Sequence, residues 1–180
     1  TTEYQSMNIA RFFVRYFAAV LLAVATLQSV FAQDLIVTVE NLNAAGGNFL
    51  TPVWFGFHDG SFDSYDSGSP ASAGLERLAE DGVTDPISGE FAAAAPTGVD
   101  GVVRGPAGFG GAPVIDPGEV ATERIAVDPA NRYFSYASML IASNDAFIAN
   151  GNPLAHQVYD AAGNFTPLSF LVLGSDVLDA

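Results

Sequence analysis

From residue 34 onward, apolar and polar positions alternate along much of the chain. In residues 34–42 (DLIVTVENL), Leu35, Val37 and Val39 point one way while Thr38 and Glu40 point the other. A period of two predicts a half-buried strand. Residues 43–48 (NAAGGN) carry turn chemistry, and residues 51–59 (TPVWFGFHD) predict a second strand rich in aromatics. A polar, acidic loop follows in residues 59–69 (DGSFDSYDSGS). The period then changes. Ser69 is placed to cap a helix with Pro70 at its first position, Leu75, Leu78 and Ala79 form a short apolar stripe, and Gly82 ends it with Pro86 just beyond. About three turns long, this helix is expected to cap one end of a sheet.

Residues 92–118 are rich in Ala, Gly and Pro and predict an irregular loop, with a short strand at Val102 and Val103. A loop that long inside a compact domain is usually functional or mobile. Alternation returns in residues 120–127 (VATERIAV) and 132–142 (RYFSYASMLIA), joined by a DPAN turn, and two further strands are expected at residues 154–159 and 168–173. The links are too short for repeated βαβ crossovers. The pattern gives six or seven strands, so the expected fold is all-β, an antiparallel β-sandwich with one short capping helix. The chain then runs from a strand into a polar turn, and a closing strand is expected beyond Ala180.

The first 33 residues read differently. Arg11 and Arg15 precede an uncharged apolar run, residues 17–27 (FAAVLLAVATL). Val30 and Ala32 then supply small residues at the two positions a signal peptidase reads, placing cleavage before Gln33. Residues 7–33 are therefore expected to be a signal peptide, with residues 1–6 as upstream sequence and residues 34–180 as one domain. The run is short for a hydrocarbon core of about 30 Å, so no stable membrane anchor is expected after cleavage. Export implies the periplasm, the cell surface or the medium.

Charge narrows the partners. The chain has 6 Lys+Arg, all of them Arg, against 20 Asp+Glu. A surface of that sign repels phosphate backbones, which argues against nucleic acid as a partner, and it attracts divalent cations or keeps the protein soluble. With no cysteine, disulfides, thiolate metal sites and cysteine nucleophiles are excluded. The two histidines, His58 and His156, stand in no nucleophile-elbow or metalloprotease motif, and each reads first as a hydrogen-bonded structural residue. Calcium takes several oxygen ligands, and the loops supply them in groups: Asp59, Asp63 and Asp66; Asn144 and Asp145; Asn150 and Asn152; Asp160; Asp176 and Asp179. None has EF-hand spacing, so such a site would assemble from several loops.

Residues 139–165 (MLIASNDAFIANGNPLAHQVYDAAGNF) resemble the spondin domain, a family of extracellular-matrix and secreted bacterial proteins. Residues 51–63 (TPVWFGFHDGSFD), the GLERLAEDG helix and the terminal SDVLDA carry the same likeness, which covers the chain from about Leu35 to Ala180. The resemblance implies an eight-stranded antiparallel sandwich with a calcium site at one end. It carries Asp145 over as the first ligand, although Ala146 stands where the animal members have the first of two aromatics. Asp179 is similar to the acid of a later Asp-Ala-Gly turn. The family's further acid has no match among Ala149, Asn150 and Gly151, where Asn150 offers a carbonyl instead. The candidate ligands are thus Asp145, Asp179, Asp160, Asn144 and Asn150.

The expected function is an exported, non-catalytic binding or adhesion module. It would bind Ca2+ through loops at one end and recognise an extracellular or cell-surface ligand, such as matrix or polysaccharide. The competing expectation is a secreted hydrolase that uses His58 or His156 with loop carboxylates.

Overall fold

A computed structural model describes residues 31–106 and 112–180. The expected signal peptide, up to Val30, lies outside the described residues. The strands are β1 (Gln33–Glu40), β2 (Phe49–Leu50), β3 (Val53–His58), β4 (Val99–Val103), β5 (Val120–Val127), β6 (Tyr133–Ile141), β7 (Ala146–Ala149) and β8 (Leu178–Asp179). Helices α1 (Ala73–Asp81) and α2 (Asp85–Ala94) lie between β3 and β4. All pairings are antiparallel and form two sheets, one of β1 and β5, the other ordered β4-β3-β6-β7-β8 with β2 on β6. Among the described residues the protein is thus mostly antiparallel β-sheet with two helices, and the sheets are not closed.

Strand β3 is buried along its whole length because both of its faces are covered. Val53, Phe55 and Phe57 pack with Leu35 and Val127 of the two-stranded sheet, whereas Trp54 joins Phe62, Leu75, Leu78, Ile87 and Phe91 under the helices. In β1, by contrast, Leu35 is buried and Ile36 exposed, as alternation requires of a strand with one wet face.

The helical region differs from the sequence expectation at both ends. Helix α1 is capped by Ser72, not Ser69. Ser72 Oγ accepts the Leu75 N–H at 3.1 Å and donates to Glu90 Oε2 at 2.6 Å, so the cap also ties α1 to α2. Gly82 ends the helix as expected, in the left-handed region at φ 66°, which a glycine adopts without Cβ strain. Pro86 lies just beyond α1 as expected, and it also sits in the first turn of a second helix, α2, where its missing N–H leaves no hydrogen bond unmade. Helix α2 is anchored by Ile87 and Phe91, one turn apart and both buried. It replaces the expected loop as far as Ala94, so the single capping helix of the sequence reading becomes two.

The final strands also differ. Residues 154–159 run beside β6 in the lane of β7 but make only isolated bridges, Tyr133 with Gln157, backed by Phe134 N–H to His156 O at 2.9 Å, and Tyr159 with Phe165. Residues 168–173 are extended without a ladder partner among the described residues. Phe170 stacks on His156 and Val172 packs on the core, while Leu171 and Leu173 face outward. The side chains keep the strand period although the backbone has no neighbour to pair with. Strands β7 and β8, unforeseen from the pattern, complete the sheet instead.

Candidate functional site

The turn between β6 and β7 sets the position of Asp145. Ser143 Oγ donates to Leu140 O at 2.5 Å and accepts the Ala146 N–H at 3.1 Å, closing the hairpin just before β7. Strand β8 then pairs with β7 so that Asp179 lies opposite Ala146 and Leu178 opposite Phe147. Because Asp145 adjoins Ala146, this register sets Asp179 beside Asp145. The Asp145 carboxyl is raised above the ordinary carboxylate range, first by partial desolvation and then by the Asp179 charge and the hydrogen bond between them. Asn144 is exposed in the same turn.

The other two candidates are placed differently. Asp160 spends both oxygens on its own turn: Oδ1 accepts the N–H groups of Ala162 and Asn164 at 2.8 and 2.9 Å, and Oδ2 accepts Asn164 Nδ2 at 2.8 Å. Those bonds hold its carboxyl below the usual range. Asn150 is buried. Its Oδ1 accepts the Tyr136 N–H at 2.9 Å, and its Nδ2 donates to Ser135 Oγ and to Asn152 O, both at 3.2 Å. The structure therefore sets Asp145 beside Asp179, whereas the side chains of Asp160 and Asn150 are hydrogen-bonded within their own turn and sheet. Among the described residues there is no group of three or more His, Asp or Glu side chains able to hold a metal ion. Any cation here would take two carboxylates and complete its shell with carbonyls and water.

In the acidic loop after β3, Asp59 accepts the Ser61 N–H at 3.1 Å. Asp63 is raised by burial and by the Asp66 charge. Ser64 Oγ donates to Asn150 O at 2.5 Å, which pins this loop to the end of β7.

The two histidines are both engaged. His156 stacks on Phe170 at 4.0 Å, and burial lowers its pKa. His58 is fully buried at the end of β3, against Phe62 and Phe91. Its Nε2 lies 2.9 Å from Ser135 Oγ, a contact between side chains that sequence distance concealed. The Gly60 N–H donates to Nδ1 at 3.0 Å, so the neutral ring carries its proton on Nε2 and donates to the serine. A general base needs a lone pair facing the hydroxyl. Here the serine accepts from both His58 and Asn150, and neither His58 nor Ser135 is exposed to solvent.

Comparison of the chain with protein-family models and with curated proteins gave no match.

Proposed function

We propose that this protein is an exported, non-catalytic binding or adhesion module of spondin type. In this reading its two sheets form an antiparallel sandwich that carries a calcium site at Asp145 and Asp179. The single observation behind it is the proximity of Asp145 and Asp179. They are remote in sequence, are brought together by the β7–β8 register, and are left in like-charge conflict. A divalent cation would relieve that conflict, and oxygen-only ligands suit calcium. With two carboxylates and the rest carbonyl or water, affinity belongs to the weak extracellular class, a dissociation constant of roughly 0.1–1 mM. The sandwich reading is supported by the shared core of β1, β5 and β3. The partner would be a matrix or polysaccharide ligand outside the cell.

The experiment is thermal unfolding of the full chain in calcium, magnesium or chelator at fixed ionic strength. Calcium at a hundredfold excess over its dissociation constant should add about 2.7 kcal/mol. Asp145→Asn should abolish that gain. An equal response to both ions, or none, would overturn the calcium reading.

The 2.9 Å contact of His58 with Ser135 is the feature closest to a hydrolase, and its donor direction and burial favour a structural role.

A further inference from the structure

Every acid of the fold lies at its surface. After residue 30 the chain has 19 Asp and Glu against four Arg, and it has no lysine. None of those acids is buried; each is exposed or half-exposed.

The arginines neutralise little of this charge. Arg77 pairs with Asp81 along α1, and Arg124 meets Asp34 at 3.6 Å, with both side chains about two-thirds exposed. These are the two ion pairs among the described residues, so 17 acids have no cation within 4.0 Å. Arg104 donates one long bond, from Nη1 to Val102 O at 3.5 Å. Arg132 gives Nε to Tyr159 O at 3.3 Å and favours the Asp160 carboxylate only from beyond pairing distance. Some acids face one another instead. Asp63 and Asp66 share one loop, and the β7–β8 register sets Asp179 beside Asp145.

Folding gathers these like charges. A chain of about 150 residues has a radius of gyration of about 15 Å folded and about 40 Å unfolded. Repulsion between surface charges reaches over the Debye length, about 30 Å at 0.01 M salt, about 10 Å at 0.1 M and about 3 Å at 1 M. In dilute salt each acid therefore feels most of the others when the chain is folded, and fewer of them when it is unfolded. Net charge far from zero destabilises the compact state in this way.

Strand β8 is held least. Its ladder with β7 is two residues long, and it brings Asp179 next to Asp145. Val177 and Leu178 are half-buried, and residues 168–172 before them make no backbone hydrogen bond among the described residues. Strand β2 is as short, but its Leu50 is buried and exchanges two backbone bonds with Ile115, at 3.2 and 2.9 Å.

We infer that the fold carries an ionic-strength switch: dissolved salt stabilises residues 31–180 as a unit, and β8 is the first strand to leave its sheet when salt is withdrawn. Monovalent ions suffice for screening, so the inference goes beyond the calcium reading and does not rest on it.

The test is the melting temperature of the full chain in chelator at pH 7, in NaCl and in KCl from about 0.01 to about 0.5 M. It should rise by at least about 5 °C, equally in both salts, with most of the rise below about 0.2 M. Glu40, Asp66 and Glu80 are exposed and their carboxyls make no ion pair. Repulsion grows with the square of the net charge, so Glu40→Gln, Asp66→Asn and Glu80→Gln together should reduce the rise by about a third. A melting temperature that is flat or falls with salt, a rise confined to concentrations above about 1 M, or an unchanged rise in the triple variant would overturn the proposal. Hydrogen exchange in the same buffers should show β8 losing protection in dilute salt before β3 and β6. Protection of β8 that follows β3 at every concentration would overturn the order of release. Loss of a calcium-specific gain at fixed ionic strength would sink the calcium reading and leave this switch standing.

Discussion

His58 donates to Ser135. The Gly60 N–H occupies Nδ1 at 3.0 Å and thereby fixes the proton on Nε2, 2.9 Å from the serine oxygen. Burial lowers the His58 pKa below its ordinary 6.5, against a smaller opposing pull from Asp59. As pH falls, the unfolded chain therefore takes up the proton first. The stability contributed by the neutral ring is complete above 6.5 and is lost progressively as pH drops through 6.5 toward the folded value. His156, also lowered by burial, adds to the same slope. His58→Gln should cost about 1–3 kcal/mol at pH 7 through broken buried hydrogen bonds, and should flatten the slope of stability below 6.5 without removing it. Urea unfolding at a series of pH values would check both.

Asp145 behaves in the opposite sense. Its folded pKa is raised, so ionisation opposes folding once pH exceeds the ordinary carboxylate value of 3.8. Asp145→Asn in chelator should therefore melt no lower than the parent protein at pH 7. Protons and calcium compete for the carboxyl pair, so the calcium-induced rise in melting temperature should shrink as pH falls through the raised Asp145 value. Calcium titrations followed by melting temperature at several pH values would measure this.

Asn150 holds β6, β7 and the acidic loop together through its side chain and its carbonyl. Asn150→Ala leaves the buried Tyr136 N–H without an acceptor and should cost about 1–3 kcal/mol in calcium and chelator alike. Asp160→Asn should weaken only its own turn and leave the calcium response intact. Thermal unfolding of both variants, with and without calcium, distinguishes scaffolding from ligation.

Gly56 lets α2 rest on β3. A Cβ there would come within 2.6 Å of Phe91 Cε2. Gly56→Ala should destabilise the protein by about 1–3 kcal/mol through overpacking, and Phe91→Leu should recover part of that loss. The two changes should be non-additive in a double-mutant cycle measured by urea unfolding.

The alternation of β1 and β5 was legible in the sequence because period two needs only neighbouring residues and one buried face; β6, found by the same pattern, is buried on both faces from Ser135 to Leu140. Gly82 was legible as a helix end for a similar local reason, its freedom to adopt positive φ. Helix α2 was not, because Ile87 and Phe91 are its only buried anchors and Pro86 can equally stop one helix or open the next. Ser69 and Ser72 are of the same capping type; the bonds of Ser72 to the Leu75 N–H and to Glu90 of α2 distinguish it. Strand β7 is four residues long, too short to show a period, and exists through pairing with β6 and β8.

The same division runs through the candidate site. Side-chain chemistry marked Asp145, Asp179, Asp160, Asn144 and Asn150 among a wider set of loop oxygen ligands, and the family resemblance put Asp145 first. Whether an oxygen is left for a cation depends on the donors around it. Asp160 finds them within four residues and Asn150 inside the sheet. Asp145 finds another carboxyl, because the β7–β8 register puts Asp179 beside it. Residue type and local period were written in the chain, whereas proximity across the fold was decided by which faces found cover and which strands found partners.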